Sequence, residues 1–225
     1  NKLLISGSVN SFDLEEILIK TENRNPWFTR ENVIFSIRSI ISMLDEATLT
    51  QWVDSYEIDE TQNAKKTVAV IMAGNIPMVG FHDLLCVLMS GHKIIVKLSS
   101  KDDVLLPFFC KMLTAVEPEF NDHICFEVSI VKGFDSIIAT GSSNSSRYFE
   151  YYFKKYSSII RKNRISVAVL TGNEKKESFE GLTEDILMYF GLGCRNVSKI
   201  YIPYDYDIRD LYKHLDTKQF IKNHS

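Results

Sequence analysis

Long apolar runs, cysteine pairs and blocks of like charge are all missing from this 225-residue sequence. No stretch approaches the roughly 18 to 20 consecutive apolar residues of a membrane-spanning helix, so no membrane span is expected. The four cysteines, Cys86, Cys110, Cys125 and Cys194, form no CxxC pair and no regular spacing. That argues against a disulfide framework or a zinc site and makes a reducing cytoplasm the expected location. The five histidines show no spacing suited to a metal or a catalytic triad, so no metal is expected. With a formal net charge of -3 and no basic block, nothing points to nucleic acid or an anionic membrane. The N-terminus lacks a basic and apolar leader pattern, and no GxGxxG dinucleotide fingerprint is present. Internal repeats and low-complexity tracts are also lacking.

What is there is ordinary globular material, 45% hydrophobic and 24% charged, in a chain long enough to bury a sizeable core. Residues 1–66 read as a helical N-terminal segment. Thr29-Arg30-Glu31-Asn32 can start a helix whose apolar positions Val33, Ile34, Ile37, Ile40, Ile41 and Leu44 follow a helical period. A second helix starts near Asp45 and carries Leu49, Trp52 and Val53, and residues 57–66 form a polar connector.

From Thr67 the texture changes. Thr67–Met72 is a short β-branched apolar run, as expected of a strand buried on both faces of a parallel sheet. Strands are further predicted at 93–97, 124–128, 135–139 and 166–170, with a strand-like 199–202, and helices at 78–89, 103–116, 144–155 and 178–190. Alternating strands and helices give an α/β fold with a parallel, Rossmann-like sheet and helices on both faces. The expected organisation is 67–175 as a cofactor-binding α/β domain and 176–225 as the start of a catalytic domain.

Four segments carry chemistry. Asn75, in Gly74-Asn75-Ile76-Pro77, follows a strand at the carboxyl edge, where open α/β sheets gather ligands; its amide can donate to a developing oxyanion. The same residues also serve plain turn chemistry. Lys97 and Ser99 end the next strand and can hold a ribose or phosphate by charge-assisted hydrogen bonds, or Ser99 and Ser100 can simply cap a helix. Gly141 and Ser142 form a small turn before a helix, where free N–H groups attract anions, though a serine-capped βα turn looks the same. Cys194 stands on a polar turn, Gly193-Cys194-Arg195-Asn196, where a thiol is accessible and can act as a nucleophile. Cys86, Cys110 and Cys125, in apolar contexts, read instead as small buried hydrophobes.

Taken in order, these segments resemble the aldehyde dehydrogenase superfamily, and more closely its acyl-CoA reductase family of the bacterial luminescence fatty-acid reductase type. Met72–Pro77 is similar to the asparagine-containing loop, Ser90–Ser100 to the glycine-to-lysine strand, Thr140-Gly141-Ser142 to the Gly-Ser turn near the cofactor phosphates, and Gly191–Cys194 to the nucleophile segment. The resemblance implies that an acyl-CoA or acyl-protein thioester is reduced to an aldehyde with NADPH, through a thioester on Cys194. Asn75 is then the oxyanion donor, Lys97, Ser99, Gly141 and Ser142 hold the cofactor, and the full-length protein is a homo-oligomer.

The departures refine the expectation. Val169 falls where hydrolytic members carry a glutamate base, which favours transfer to a thiol over hydrolysis. Ser100 replaces an acidic residue that would repel a 2′-phosphate, consistent with NADPH, and Ser146 replaces the second glycine of the Gly-Ser turn. Only 31 residues follow Cys194, so the C-terminal part of the family fold is expected to be missing. A hydrolytic NAD(P)-dependent aldehyde dehydrogenase and a non-catalytic nucleotide-binding fragment stay open as alternatives.

Overall fold

The computed structural model describes residues 13–56 and 65–216, and the chain divides into two compact units, 1–162 and 163–225. Most of the expected connector, residues 57–64, lies outside the described residues.

Among the described residues of the first unit, three capped helices precede the sheet: α1 (Leu14–Arg24), α2 (Arg30–Met43) and α3 (Glu46–Asp54). Their caps are the side chains of Asp13, Thr29 and Asp45, each accepting from amides in the first turn. Such caps satisfy amide groups that a helix start leaves without partners. The second and third helices begin where the sequence signals place them.

Five parallel strands follow: β1 (Thr67–Ile71), β2 (Lys93–Lys97), β3 (Ile124–Phe126), β4 (Ser136–Thr140) and β5 (Ser157–Arg161), in the order β3-β2-β1-β4-β5. Helices α4 (Phe81–Met89), α5 (Leu105–Val116) and α6 (Ser143–Tyr152) connect them. The period-2 alternation of strands divides the core. Val68, Val70, Ile94 and Val96 pack on one face with Phe28, Val33 and Ile37 from the N-terminal helices, Leu84 and Val87 of α4, and Leu105 and Leu106 of α5. Ala69 and Ile137 face the other way, with Val131, Phe134 and Phe153. The N-terminal helices are therefore part of the sheet's core. Arg161 at the end of β5 pairs with the buried Asp83 of α4, which ties that edge strand to the first face.

Among its described residues the second unit holds two parallel strands, β6 (Ser166–Val169) and β7 (Val197–Tyr201), with α7 (Lys176–Leu187) between them and α8 (Arg209–Asp216) after. Its core is Leu170, Phe179, Leu182 and Leu211.

Beyond shifted ends, such as α4 starting at Phe81 rather than at the left-handed Met78 and β3 ending at Phe126 rather than 128, the sequence reading differs in three places. It missed β5, whose Ser157-Ser158-Ile159-Ile160-Arg161 has too few apolar residues to stand out and is a strand because β4 pairs with it. It counted Ser166–Leu170 among the strands of one sheet, whereas β6 pairs with β7 in a separate sheet. It also ran the last long helix to Phe190. Tyr189 (φ 52°) and Phe190 (φ 58°) are left-handed, and α7 stops at Leu187. Among the described residues no helix is long and apolar enough to cross a membrane.

Candidate functional site

The strand order creates a specific crevice. The chain passes from β1 to β2 on one side of the sheet, and β4 returns to the other side of β1. The crevice outside the carboxyl ends of β1 and β4 is thus the topological switch point, where ligands of open α/β sheets bind. Asn75 follows β1, Lys97 ends β2, and Gly141 and Ser142 follow β4. Pairing of Ile71 with both Lys97 and Ala139 puts these residues along one edge. The first unit therefore brings together five of the six sequence-predicted site residues, Ser99 included.

The half-buried Asn75 lies on a loop held from two directions. The hydroxyl of Ser36, on α2, donates to the carbonyl of Pro77 at 2.8 Å in a buried bond. The amide of Met78 donates to the carboxylate of Asp102 at 2.7 Å. Met78 is 4% exposed and has φ +55°, a left-handed conformation that a side-chain-bearing residue keeps only when its surroundings hold it.

Gly74 shows why this loop needs a glycine. A Cβ there would lie 2.5 Å from the Ser99 hydroxyl, 2.6 Å from Ser99 Cβ and 3.2 Å from the Asp102 amide nitrogen. Gly74→Ala is expected to destabilise the protein by about 1–3 kcal/mol, the usual range for overpacking. A lowered midpoint in urea with unchanged slope checks it, and an unchanged midpoint contradicts it.

Lys97 is pre-positioned. Its ammonium donates to the carbonyls of Val128 (2.8 Å) and Ser129 (2.6 Å), beyond the end of β3. An ammonium has three donors, so one remains for a ligand on the sheet edge. Glu127 lies in the field of this lysine. Hydrogen bonds from the hydroxyl and amide of Ser129, with a smaller effect of Lys97, hold its carboxyl below the usual range.

The remaining candidates in this unit also have structural duties. The Ser99 hydroxyl accepts from the Lys101 amide at 3.2 Å. Ser142 is the N-cap of α6, accepting from the Ser145 amide at 3.2 Å. Gly141 packs so closely that a Cβ would meet Phe149 and Ser145, each at 2.9 Å. Ser146 is buried and donates to the Ser143 carbonyl.

Cys194, in the second unit, is exposed. It occupies a turn closed by the Asn196 amide donating to the Gly193 carbonyl at 3.1 Å. The Asn196 side chain locks that turn: its oxygen accepts from the Gly193 amide at 2.7 Å, and its nitrogen donates to the carbonyls of Asp185 (2.8 Å) and Met188 (3.0 Å). The nucleophile candidate is thereby fixed to the end of α7.

Of the other cysteines, Cys110 is buried, and burial pushes its thiol up to about 12. Cys86 is half-buried and also raised, mainly by burial. Cys125, expected to be buried, is exposed, because β3 is a three-residue edge strand.

Val169 ends β6 and is 70% exposed. A carboxylate, Glu174, does follow this strand. It accepts from the amide of Thr171, from the Thr171 hydroxyl at 2.9 Å and from the Gly172 amide at 3.1 Å. These bonds hold its carboxyl below the usual range, which makes it a turn former and a weak base. Among the described residues no group of three or more His, Cys, Asp or Glu side chains could hold a metal ion.

Sequence reasoning missed Ser36, Asp102 and Glu127, and gave Asn196 only as part of the Cys194 turn. Only Asn196 carried a local signal, as a turn-forming residue beside Cys194. The others are brought to the site by distant segments.

The sequence matches the family model described as acyl-CoA reductase (LuxC) over residues 10–217. Curated proteins give no match. Among solved structures, the chain is similar to a protein described as a putative aldehyde dehydrogenase, PutA of Anabaena variabilis, at 17% identity and TM-score 0.68, over 92% of this chain and 48% of that one. It is also similar to a Mycobacterium tuberculosis aldehyde dehydrogenase complexed with NAD+, at 17% identity and TM-score 0.58, over 67% and 34%. The AldA indole-3-acetaldehyde dehydrogenase of P. syringae matches at 15% identity and TM-score 0.55, over 68% and 34%. The chain spans about half or less of the length of these structures. At such identities they show the fold, an aldehyde dehydrogenase-type α/β architecture of which this chain covers a part. The family itself comes from the sequence match, which runs through both units: the chain belongs to the acyl-CoA reductase (LuxC) family.

Proposed function

We propose that this chain carries the cofactor edge and the nucleophile of an enzyme that reduces an acyl thioester to an aldehyde with NADPH. The observation that carries the reading is the family match through residues 10–217, which spans both the switch-point residues and the exposed thiol of Cys194. The Cys194 thiolate attacks the thioester carbonyl, the acyl–sulfur bond to CoA breaks, and CoA leaves as its thiol after taking a proton. The Asn75 side-chain amide donates to the oxyanion formed in that attack. NADPH, if held by Lys97, Ser99, Gly141 and Ser142, would supply the hydride that takes the Cys194 thioester to the aldehyde level. One proton from solvent completes the thiohemiacetal on Cys194, whose collapse releases aldehyde and returns the thiol.

The residues at the sheet edge fit a dinucleotide. The remaining donor of Lys97 suits a ribose hydroxyl or 2′-phosphate, and the first amides of α6, which Ser142 caps, suit a phosphate beside Gly141. Ser100 brings no charge against a 2′-phosphate, which favours NADPH.

A second reading has its own support: the three solved structures are described as aldehyde dehydrogenases. On that reading the enzyme oxidises an aldehyde with NAD(P)+ and water releases the acid. The absence of a glutamate at Val169 and the hydrogen-bonded state of Glu174 favour the reductive reading.

Product analysis on the full-length protein decides between them. The expected result is aldehyde and free CoA from acyl-CoA and NADPH, with a covalent acyl adduct seen by mass spectrometry when NADPH is withheld. Acid formed from aldehyde without CoA overturns this in favour of the second reading. Absence of any adduct across a panel of acyl-CoAs, with no turnover, leaves a nucleotide-binding chain without acyl chemistry.

A further inference from the structure

The turn after β2 carries a group that the proposed chemistry does not use. Asp102 is a carboxylate on a short polar stretch, Ser99-Ser100-Lys101-Asp102-Asp103, whose sequence reads as loop or cap material. In the structure it is 7% exposed. One oxygen accepts the amide of Met78; the other, Oδ1, is buried with no hydrogen-bond partner. A buried carboxylate with half its capacity unused costs stability wherever it is charged, so its presence calls for a reason.

Its placement supplies one. Asn75 is bracketed by contacts to this same turn. On its N-terminal side, Gly74 sits against Ser99 and the Asp102 amide closely enough to exclude a Cβ. On its C-terminal side, Met78 is held left-handed with its amide on the Asp102 carboxylate. The turn is itself fastened to the end of α1. Arg24 pairs with Asp103 at 2.8 Å, and the Asn25 side chain donates to the Lys101 carbonyl at 3.0 Å. Three separate segments (α1, the β2 turn and the β1 loop) are thereby locked together under Asn75.

We propose that Asp102 is the positioning residue of the Asn75 loop, and that its carboxylate form holds the loop in the arrangement used for oxyanion stabilisation. The catalytic consequence rests on Asn75 being the oxyanion donor; the holding of the loop does not. An ionised carboxylate makes a shorter and stronger hydrogen bond to an amide than a neutral acid does. The loop is therefore held more firmly once Asp102 has lost its proton.

The pH range comes from burial. Desolvation raises the Asp102 carboxyl to about 6; the Met78 amide acts in the opposite direction, and the negative charge of Asp103 adds to the rise. The charged groups around it are Lys101 and Asp103 of its own turn and Arg24 of α1, while α2 brings the neutral Ser36 to the same loop. Because the folded value lies above the ordinary one, the stability Asp102 contributes is complete below the ordinary carboxylate value and is lost as pH rises through about 6. Overall stability from this group thus falls over the range in which its grip on Met78 strengthens. A residue with a merely structural role would not separate the two.

Hydrogen–deuterium exchange of the peptide covering 72–81, corrected for intrinsic rates, tests the holding role in the full-length protein. Protection is expected to rise between pH 5 and pH 7.5 in the wild type and to stay flat in Asp102→Asn, which keeps size and an acceptor oxygen but not the charge. A flat wild-type profile overturns the proposal even if the variant fails to fold. The catalytic consequence is read from the acylation rate of Cys194. Asp102→Asn should slow it about tenfold at pH 7.5, the scale of one lost charge-assisted bond, and little at pH 5. In an Asn75→Ala background the same change should add nothing. If Asn75→Ala leaves acylation unchanged, the oxyanion assignment falls and the exchange result alone decides on Asp102. If Asn75→Ala is slow but Asp102→Asn matches wild type across the pH range, the positioning role is overturned while the oxyanion assignment stands.

Discussion

Replacing Cys194 with alanine in the full-length protein is expected to abolish covalent acylation, leaving turnover at least about 10³-fold below wild type, as loss of a catalytic nucleophile does elsewhere. The expectation rests on the distribution of thiols. Cys110 is buried with its thiol pushed up to about 12, so thiolate is scarce there at neutral pH. Cys86 is half-buried and raised in the same direction. Cys194 is exposed, on a turn that Asn196 anchors with three hydrogen bonds to Gly193, Asp185 and Met188. Anchoring matters because a nucleophile must be held in line with the carbonyl it attacks. Cys125, the other exposed cysteine, is the control: it lies on the edge strand β3, and Cys125→Ala should label like wild type. Intact-mass measurement after incubation with acyl-CoA checks both variants. Full labelling of Cys194→Ala, or loss of labelling in Cys125→Ala, contradicts the assignment.

The second large effect is on stability. Phe28→Ala is expected to destabilise the first unit by about 3–5 kcal/mol, the usual cost of truncating a buried aromatic residue. Phe28 is 1% exposed and lies in the turn between α1 and α2, where its amide donates to the Asn25 carbonyl at 2.8 Å. Its ring belongs to the core formed with Val33, Val70, Val96 and Leu106, so it joins the N-terminal helices to the sheet. Its loss opens a cavity in the layer that also carries Ser36, the donor to Pro77 in the Asn75 loop. Chemical denaturation measures the change. A midpoint within error of wild type would show that the N-terminal helices fold as an appendage to the sheet.

How far the sequence was legible depends on the range of the forces that shape each element. The strands β1 and β2 were readable because Thr67–Ile71 and Lys93–Lys97 are β-branched apolar runs bounded by Gly74 and by Gly91. The starts of α2 and α3 were readable because Thr29 and Asp45 cap them through their own neighbouring amides. β5 was not readable. Ser157–Arg161 comes soon after the aromatic helix α6, has only Ile159 and Ile160 as apolar residues, and is extended because β4 offers it a ladder. The separation of β6 and β7 into their own sheet was equally hidden, since a strand's sequence does not say which sheet it joins.

The candidate site divides along the same line. Asn75, Lys97, Gly141, Ser142 and Cys194 stand next to turns and strand ends that local patterning marks, and their residue types suit the chemistry. Asp102 and Ser36 lie 27 residues beyond and 39 residues before Asn75 in sequence and meet its loop only in the fold. Glu127 comes into the field of Lys97 because β3 pairs with β2.

By itself, the sequence determined the family and the α/β class and marked the candidate site residues, because these rest on local runs, caps and motifs. The tertiary structure alone decided that the N-terminal helices share the sheet's core, that β1 and β4 flank the switch point, and that a buried carboxylate grips the Asn75 loop. Each of those depends on desolvation and hydrogen bonding between segments far apart in the chain, and neither exists until the chain has folded.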